Sequence, residues 1–227
     1  MKKNGFTLAE VLITLGIIGV VAALTLPALI QNYKKQALKA GFRKAYSVLT
    51  NTFNLMQDEN GVRAVSEDFS SADVLKSRLL EMKRLNIMNE CGTRNGVGRN
   101  CFSNSQLVAN YKNYSKLAAI SGSWFDDGQL ILGDGMIIML ERQSGEPRGL
   151  FVSVDVNGYN KPPNAWGHDV FTFELTKQGA FLPEGAPGTL YEGNSEVLCL
   201  NTSTSSINGL TCAQKAISDP DYFENLP

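Results

Sequence analysis

One carboxylate stands where carboxylates are expensive. Glu10 lies in GFTLAEVLITLGIIGVVAALTLPALI (residues 5–30), and it is the only charged residue between Phe6 and Ile30. An ionised carboxylate at membrane depth costs several kcal/mol unless it is paired, so an acid in such a run is a functional candidate by default. A second group of polar atoms lies in DVNGYNKPPNAWGHD (residues 155–169), where Asp155, Asn157, Asn160, Asn164 and Asp169 could all offer oxygen. Calcium takes about six to eight oxygen ligands from flexible loops. Asp155-x-Asn157-Gly158 has the opening of an EF-hand loop, but no glutamate follows at the twelfth position, so that motif fails. The alternative, and the better supported, is an Asn/Gly/Pro turn whose side chains bond their own backbone. The third group is four cysteines, Cys91, Cys101, Cys199 and Cys212, which allow three disulfide pairings. No pair shows the tight spacing of a zinc site.

Little else in the chain could do chemistry. His168 is the only histidine, which removes most imidazole catalysis and any multi-histidine metal site. His168 and Trp166 read as packing or turn residues. No G-x-S-x-G, H-E-x-x-H, phosphate-loop or dinucleotide fingerprint occurs, so the chain does not read as an enzyme. A net charge of −1 gives no electrostatic case for nucleic acid.

The elements that must carry these groups begin with the apolar run. Phe6 to Ile30 is long enough for a helix across a hydrocarbon core of roughly 30 Å. Lys2 and Lys3 precede it and Lys34, Lys35 and Lys39 follow it, so flanking charge gives no clear orientation. The run is too long for a secretory signal peptide and has no small-x-small cleavage site before a mature domain. Gly16 and Gly19 allow close helix approach, and Pro27 removes one helical hydrogen bond. Beyond the run, Leu38, Phe42, Ala45, Leu49, Phe53 and Met56 recur at helical spacing as one apolar stripe. DENG (residues 58–61) stops the pattern. The expectation is one helix from about residue 7 to about residue 58, lipid-embedded first and amphipathic afterwards.

The rest, at 43% hydrophobic overall, reads as a folded domain. SSADVLKSRLLEMKRL predicts a short helix capped by Ser71 or Asp73, with Leu75, Leu79 and Met82 on one face. QLVANYKNYSKLAAI is a short helix or irregular. QLILGDGMIIMLER reads as a hairpin turning at Gly133-Asp134-Gly135, GLFVSVDV and DVFTFELT as two further strands, and GAFL as a possible extension. The fold class is α+β: a long amino-terminal helix on a 3–4 stranded antiparallel sheet, in two layers. The divisions are residues 1–5, a helix over 6–59, a helix-loop region over 60–127, the sheet over 128–182 and a cysteine-bounded region over 183–227.

MKKNGFTLAEVLITLGIIGVVAALTLPAL resembles the prepilin amino terminus of type IV pilins and type II secretion pseudopilins: a short basic leader ending in Gly5, then Phe6, the FTLAE core, an apolar run and Pro27. The segment from Asp134 to Leu175 is also similar to pseudopilin-type sheet sequence. The resemblance implies cleavage between Gly5 and Phe6 by a prepilin peptidase and methylation of the new Phe6 amine. It implies that Glu10 pairs with the terminal amine of a neighbouring subunit, and that the helix loosens near Pro27 inside a filament. The globular domain then lies outside the cytoplasm, where cysteines oxidise. The sequence-local pairing is Cys91–Cys101 with Cys199–Cys212, the latter matching the carboxy-terminal disulfide loop of many pilins; the cross-region pairings stay open. Some pseudopilins bind calcium in a sheet loop, which makes Asp155, Asn157, Asn160 and Asp169 the ligand candidates; no other cofactor is expected.

The function this implies is a structural subunit of a type IV pilus-like filament. It would be a single-pass membrane protein before assembly and part of an extracellular or periplasmic filament afterwards. Its partners would be copies of itself or other pilins, the prepilin peptidase, the inner-membrane assembly platform and the membrane, with no nucleic acid. The runner-up is a type II secretion pseudopilin. From a different class, the alternative is a membrane-anchored enzyme or binding domain, which processing at Gly5–Phe6 would exclude.

Overall fold

The computed structural model describes residues 7–92, 101–145 and 149–227, with residues 57–60 described by their backbone alone. Contacts divide the chain into two compact units, Met1–Ala37 and Leu38–Pro227. Helix α1, Leu8–Asn60, contributes to both. It ends where Gly61 takes a left-handed φ of +63°, a conformation that glycine adopts without a Cβ clash.

In the second unit the stripe read from spacing is the buried face of α1. Phe42, Ala45, Leu49, Phe53 and Met56 are each at most 2% exposed. Their partners are the apolar side chains of one sheet face: Phe42 lies 4.4 Å from Phe171, and Phe53 stacks on Phe181 at 4.2 Å. Helix α2, Ala72–Met82, adds Leu75, Leu79 and Met82 to the same core. Its boundary residue is Ser71, whose extended backbone starts the helix without a side-chain capping bond.

Among the described residues the sheet is a six-stranded antiparallel meander, β1 (Ile87–Cys91), β2 (Gln129–Leu132), β3 (Ile137–Arg142), β4 (Leu150–Asp155), β5 (Val170–Leu175) and β6 (Phe181–Pro183), in that spatial order. It is larger than the three or four strands expected from sequence. β6 is the GAFL extension. β1 is a half-exposed edge strand whose partner lies over forty residues away, Ile87 facing Leu132, and IMNEC has no alternation strong enough to reveal it.

The two-layer expectation also needs correction. Every residue of β4 and β5 is buried, because the sheet is covered on both faces. Leu150, Val152 and Val154 point to the α1 core. Phe151 joins a second core with Trp124, Phe125, Trp166, Tyr111, Ile137 and Met139. The cover on that side comes from segments with little regular structure, including α3 (Asn104–Asn110), a turn at Gly122–Trp124 and α4 (Ser195–Leu198). Such cover has no periodicity to read. The carboxy terminus returns to the first core through α5, Cys212–Ser218, and Phe223, which lies 5.8 Å from Phe42.

Candidate functional site

The first half of α1 exposes large apolar side chains on all sides. Leu8, Leu12, Ile13, Leu15, Ile18, Val20, Leu24 and Leu29 are all more than 60% exposed, and an 18-residue window of the helix has no buried residue. Length and composition suit a membrane span. Its two threonine hydroxyls are satisfied locally, as an apolar surrounding would require: those of Thr14 and Thr25 donate to the Val11 and Val21 carbonyls, at 3.0 and 2.9 Å. Nothing lies within 4 Å of the Cβ positions that Gly16 and Gly19 lack, so both leave open notches along the helix. Pro27 sits inside the helix and has no N–H to give the Ala23 carbonyl.

Glu10 is held at the start of this helix by Thr7. The Thr7 N–H and hydroxyl both donate to Glu10 Oε2 at 2.8 Å, and the Glu10 N–H donates back to the Thr7 hydroxyl at 3.3 Å. This reciprocal arrangement is a capping box. It also places a negative group in the first turn, where the helix dipole favours it. The sequence reading missed Thr7 as the partner, although the T-x-x-E spacing was there to find it. Gly5 and Phe6, the expected processing residues, lie outside the described residues.

A family profile described as the prokaryotic N-terminal methylation motif matches residues 1–26. The chain carries the signature of type IV pilins and pseudopilins. Neither a curated protein nor a solved structure matches it. The pilin motif implies processing by a prepilin peptidase and assembly with other pilins, and with the apolar helix it fits a membrane-anchored precursor.

Two disulfides join Cys91 to Cys101 and Cys199 to Cys212. The first closes a loop whose base is fixed by Lys76: its ammonium, largely buried, pairs with Asp73 at 2.8 Å and donates to the Cys91 carbonyl at 3.2 Å. The second closes residues 199–212 over a backbone braced from inside. Asn113, fully buried, donates to the Ser203 and Ser205 carbonyls, and Asn208 bonds both the N–H and the carbonyl of Leu200.

The loop from Asp155 to Asp169 brings Asp155, Asn157 and Asp169 together and leaves Asn160 exposed. All four carboxylate oxygens already accept hydrogen bonds. Asp155 Oδ1 receives the Asn157 and Gly158 N–H groups at 3.1 and 2.7 Å, and Oδ2 receives the Tyr111 hydroxyl. Asp169 receives the Asn164 and Ala165 N–H groups, each at 2.7 Å. Burial, and then the charge of Asp155, push Asp169 up to about 7. Burial raises Asp155 as well, against the hydrogen bonds from Tyr111 and the backbone. Gly158 is required here: at φ +89° its missing Cβ would stand 2.5 Å from the Gly135 carbonyl. His168 and Trp166 are core residues, the imidazole bonded to the Tyr114 carbonyl and lowered to about 4 by burial. No local signal marked Tyr111 as the partner of Asp155, since they are joined only by the second core.

Proposed function

We propose that the chain is a structural subunit of a type IV pilus-like filament, cut between Gly5 and Phe6, methylated at Phe6 and polymerised through residues 6–30. The observation that carries this reading is a fully exposed apolar helix beginning at a capped glutamate, under the methylation motif. Each large apolar side chain left in water costs about 1.5–3 kcal/mol, so from Leu8 to Ile30 the penalty is on the order of 20 kcal/mol. Such a helix needs lipid or a bundle of like helices around it. Moving from one to the other exchanges apolar surroundings without passing through water. Glu10 then supplies register: a carboxylate in an apolar bundle is tolerated where a positive amine meets it, and the new Phe6 amine of an adjacent subunit is such a group. The exposed notches at Gly16 and Gly19 admit neighbouring helices closely. The globular unit would lie outside the cytoplasm, consistent with its disulfides.

The deciding measurement is the mass of the amino-terminal peptide from native cells, in sheared surface material and in membranes. A methylated Phe6 terminus abundant in the sheared fraction supports a surface pilus. The same terminus confined to membranes identifies a pseudopilin of a secretion system instead, and an intact Met1 in both rejects the reading. Glu10→Val should leave the domain folded and abolish efficient assembly; normal filaments from that variant would remove the pairing role.

A further inference from the structure

Glu174, near the end of β5, and Glu184, just after β6, are 4% and 0% exposed, and the consecutive amides of Leu190 and Tyr191 donate one to each carboxyl group, which sets the two side by side. Both grip the turn that follows β6. Glu174 Oε2 accepts the Leu190 N–H at 2.6 Å, and Glu184 Oε1 accepts the Gly185 and Tyr191 N–H groups at 3.1 and 3.0 Å. Glu184 Oε2, fully buried, has no donor, and the group it meets is another carboxyl. Two carboxylates side by side inside a protein are not both ionised, and a proton on one of them would supply the missing donor. We propose that a proton shared by Glu174 and Glu184 latches residues 184–191 to the sheet, holding this corner closed in acid and releasing it as the proton is lost.

The surroundings leave the proton as the neutralising partner. Phe151 and Leu182 flank Glu174 on the adjacent strands, and α5 offers the backbone N–H of Gln214, which donates to the Glu184 carbonyl. The Thr189 hydroxyl lies beside the Glu184 carboxyl and favours its charged form, but it gives its proton to the Ala186 carbonyl at 2.7 Å and receives the Gly185 N–H at 3.1 Å. Glu192, at the far end of the turn, is engaged by the Gly188 N–H at 2.9 Å. Lys177 favours the charged form of Glu174, but burial and the charge of Glu184 outweigh it and push Glu174 up to about 8. Burial raises Glu184 as well. The raised values fix the sign. The latch is at full strength below the ordinary glutamate range and weakens as pH rises to about 8, its opening constant growing about tenfold per pH unit in that interval. Opening would withdraw Tyr191 from Trp124 and Phe151, whose rings lie 6.0 and 6.2 Å away.

The test is amide exchange of the full-length chain in detergent between pH 5 and 8, corrected for base catalysis. Protection of the Leu190 and Tyr191 amides should fall about tenfold per pH unit in the wild type. It should be nearly independent of pH in Glu184→Gln, whose amide is a permanent donor. Equal slopes in the two proteins would overturn the latch. Should that variant not fold, the wild-type side-chain carboxyl carbons decide by NMR. A joint titration near pH 8 supports the shared proton, and two separate titrations at ordinary glutamate values reject it.

Discussion

Both halves of α1 carry large apolar residues and use them in opposite ways. Before Ala37 they face outward on all sides, with Leu24 75% exposed. After Leu38 they fall on one stripe, with Phe42 2% exposed. One helix thus presents a surface suited to lipid and then a surface suited to a protein core. The difference teaches that hydrophobic content alone does not place a helix; whether the apolar residues encircle it or keep to one side does.

The sharpest way to test that contrast is to truncate one residue in each half and follow urea unfolding by the fluorescence of buried Trp124 and Trp166. Phe42→Ala should lose about 3–5 kcal/mol, because a cavity opens beside Phe171, Phe173 and Phe223. Leu24→Ala should leave the domain's midpoint unchanged. Equal effects in the two halves would erase the distinction. Next in size, replacing both Cys199 and Cys212 by serine should cost about 3 kcal/mol through the loop they close; an unchanged midpoint would mean that Asn113 and Asn208 hold that loop alone.

A smaller effect concerns the sheet unit's acids. Asp169 is pushed up to about 7, so between the ordinary aspartate range and that value the native state holds an extra proton and stability falls as pH rises. His168, lowered to about 4, works in the opposite sense up to its ordinary value near 6.5. Asp169→Asn should therefore change the stability difference between pH 5 and 6.5 by about 2 kcal/mol relative to wild type, in favour of the higher pH. No change would place Asp169 in the ordinary carboxylate range. Smaller again, Lys44→Ala breaks an exposed pair with Asp134 at 2.7 Å and should cost under about 1 kcal/mol, less in high salt. At the bottom of the scale, chelation of calcium should not shift the melting temperature, since the Asp155 and Asp169 oxygens are already occupied by donors. A shift on chelation that Asp155→Ala abolishes would instead make the loop a calcium site.

What was legible in the sequence had a short period. The stripe from Phe42 to Met56 and the strands around Ile138, Val152 and Phe173 announce themselves within a few residues, as did the T-x-x-E at Thr7, which the sequence reading passed over. What escaped depends on distance along the chain. β1 is a strand because β2 pairs with it. The acid pair of Glu174 and Glu184 exists because β5 and β6 are neighbours. Trp124 is a core residue because Phe151 points away from α1. Single residues of these types look alike in sequence whether or not the fold gives them partners.

The strict strand order has a consequence for how such a chain is made. Each strand from β2 to β6 pairs with the one just before it, and each disulfide spans only 10 or 13 positions. A chain that emerges end first from a ribosome or a membrane pore can therefore zip each new strand onto an edge already waiting outside. Such vectorial folding keeps a single growing edge opposite β1 and fills it as each new strand arrives, which limits the time available for the wrong chain to pair there.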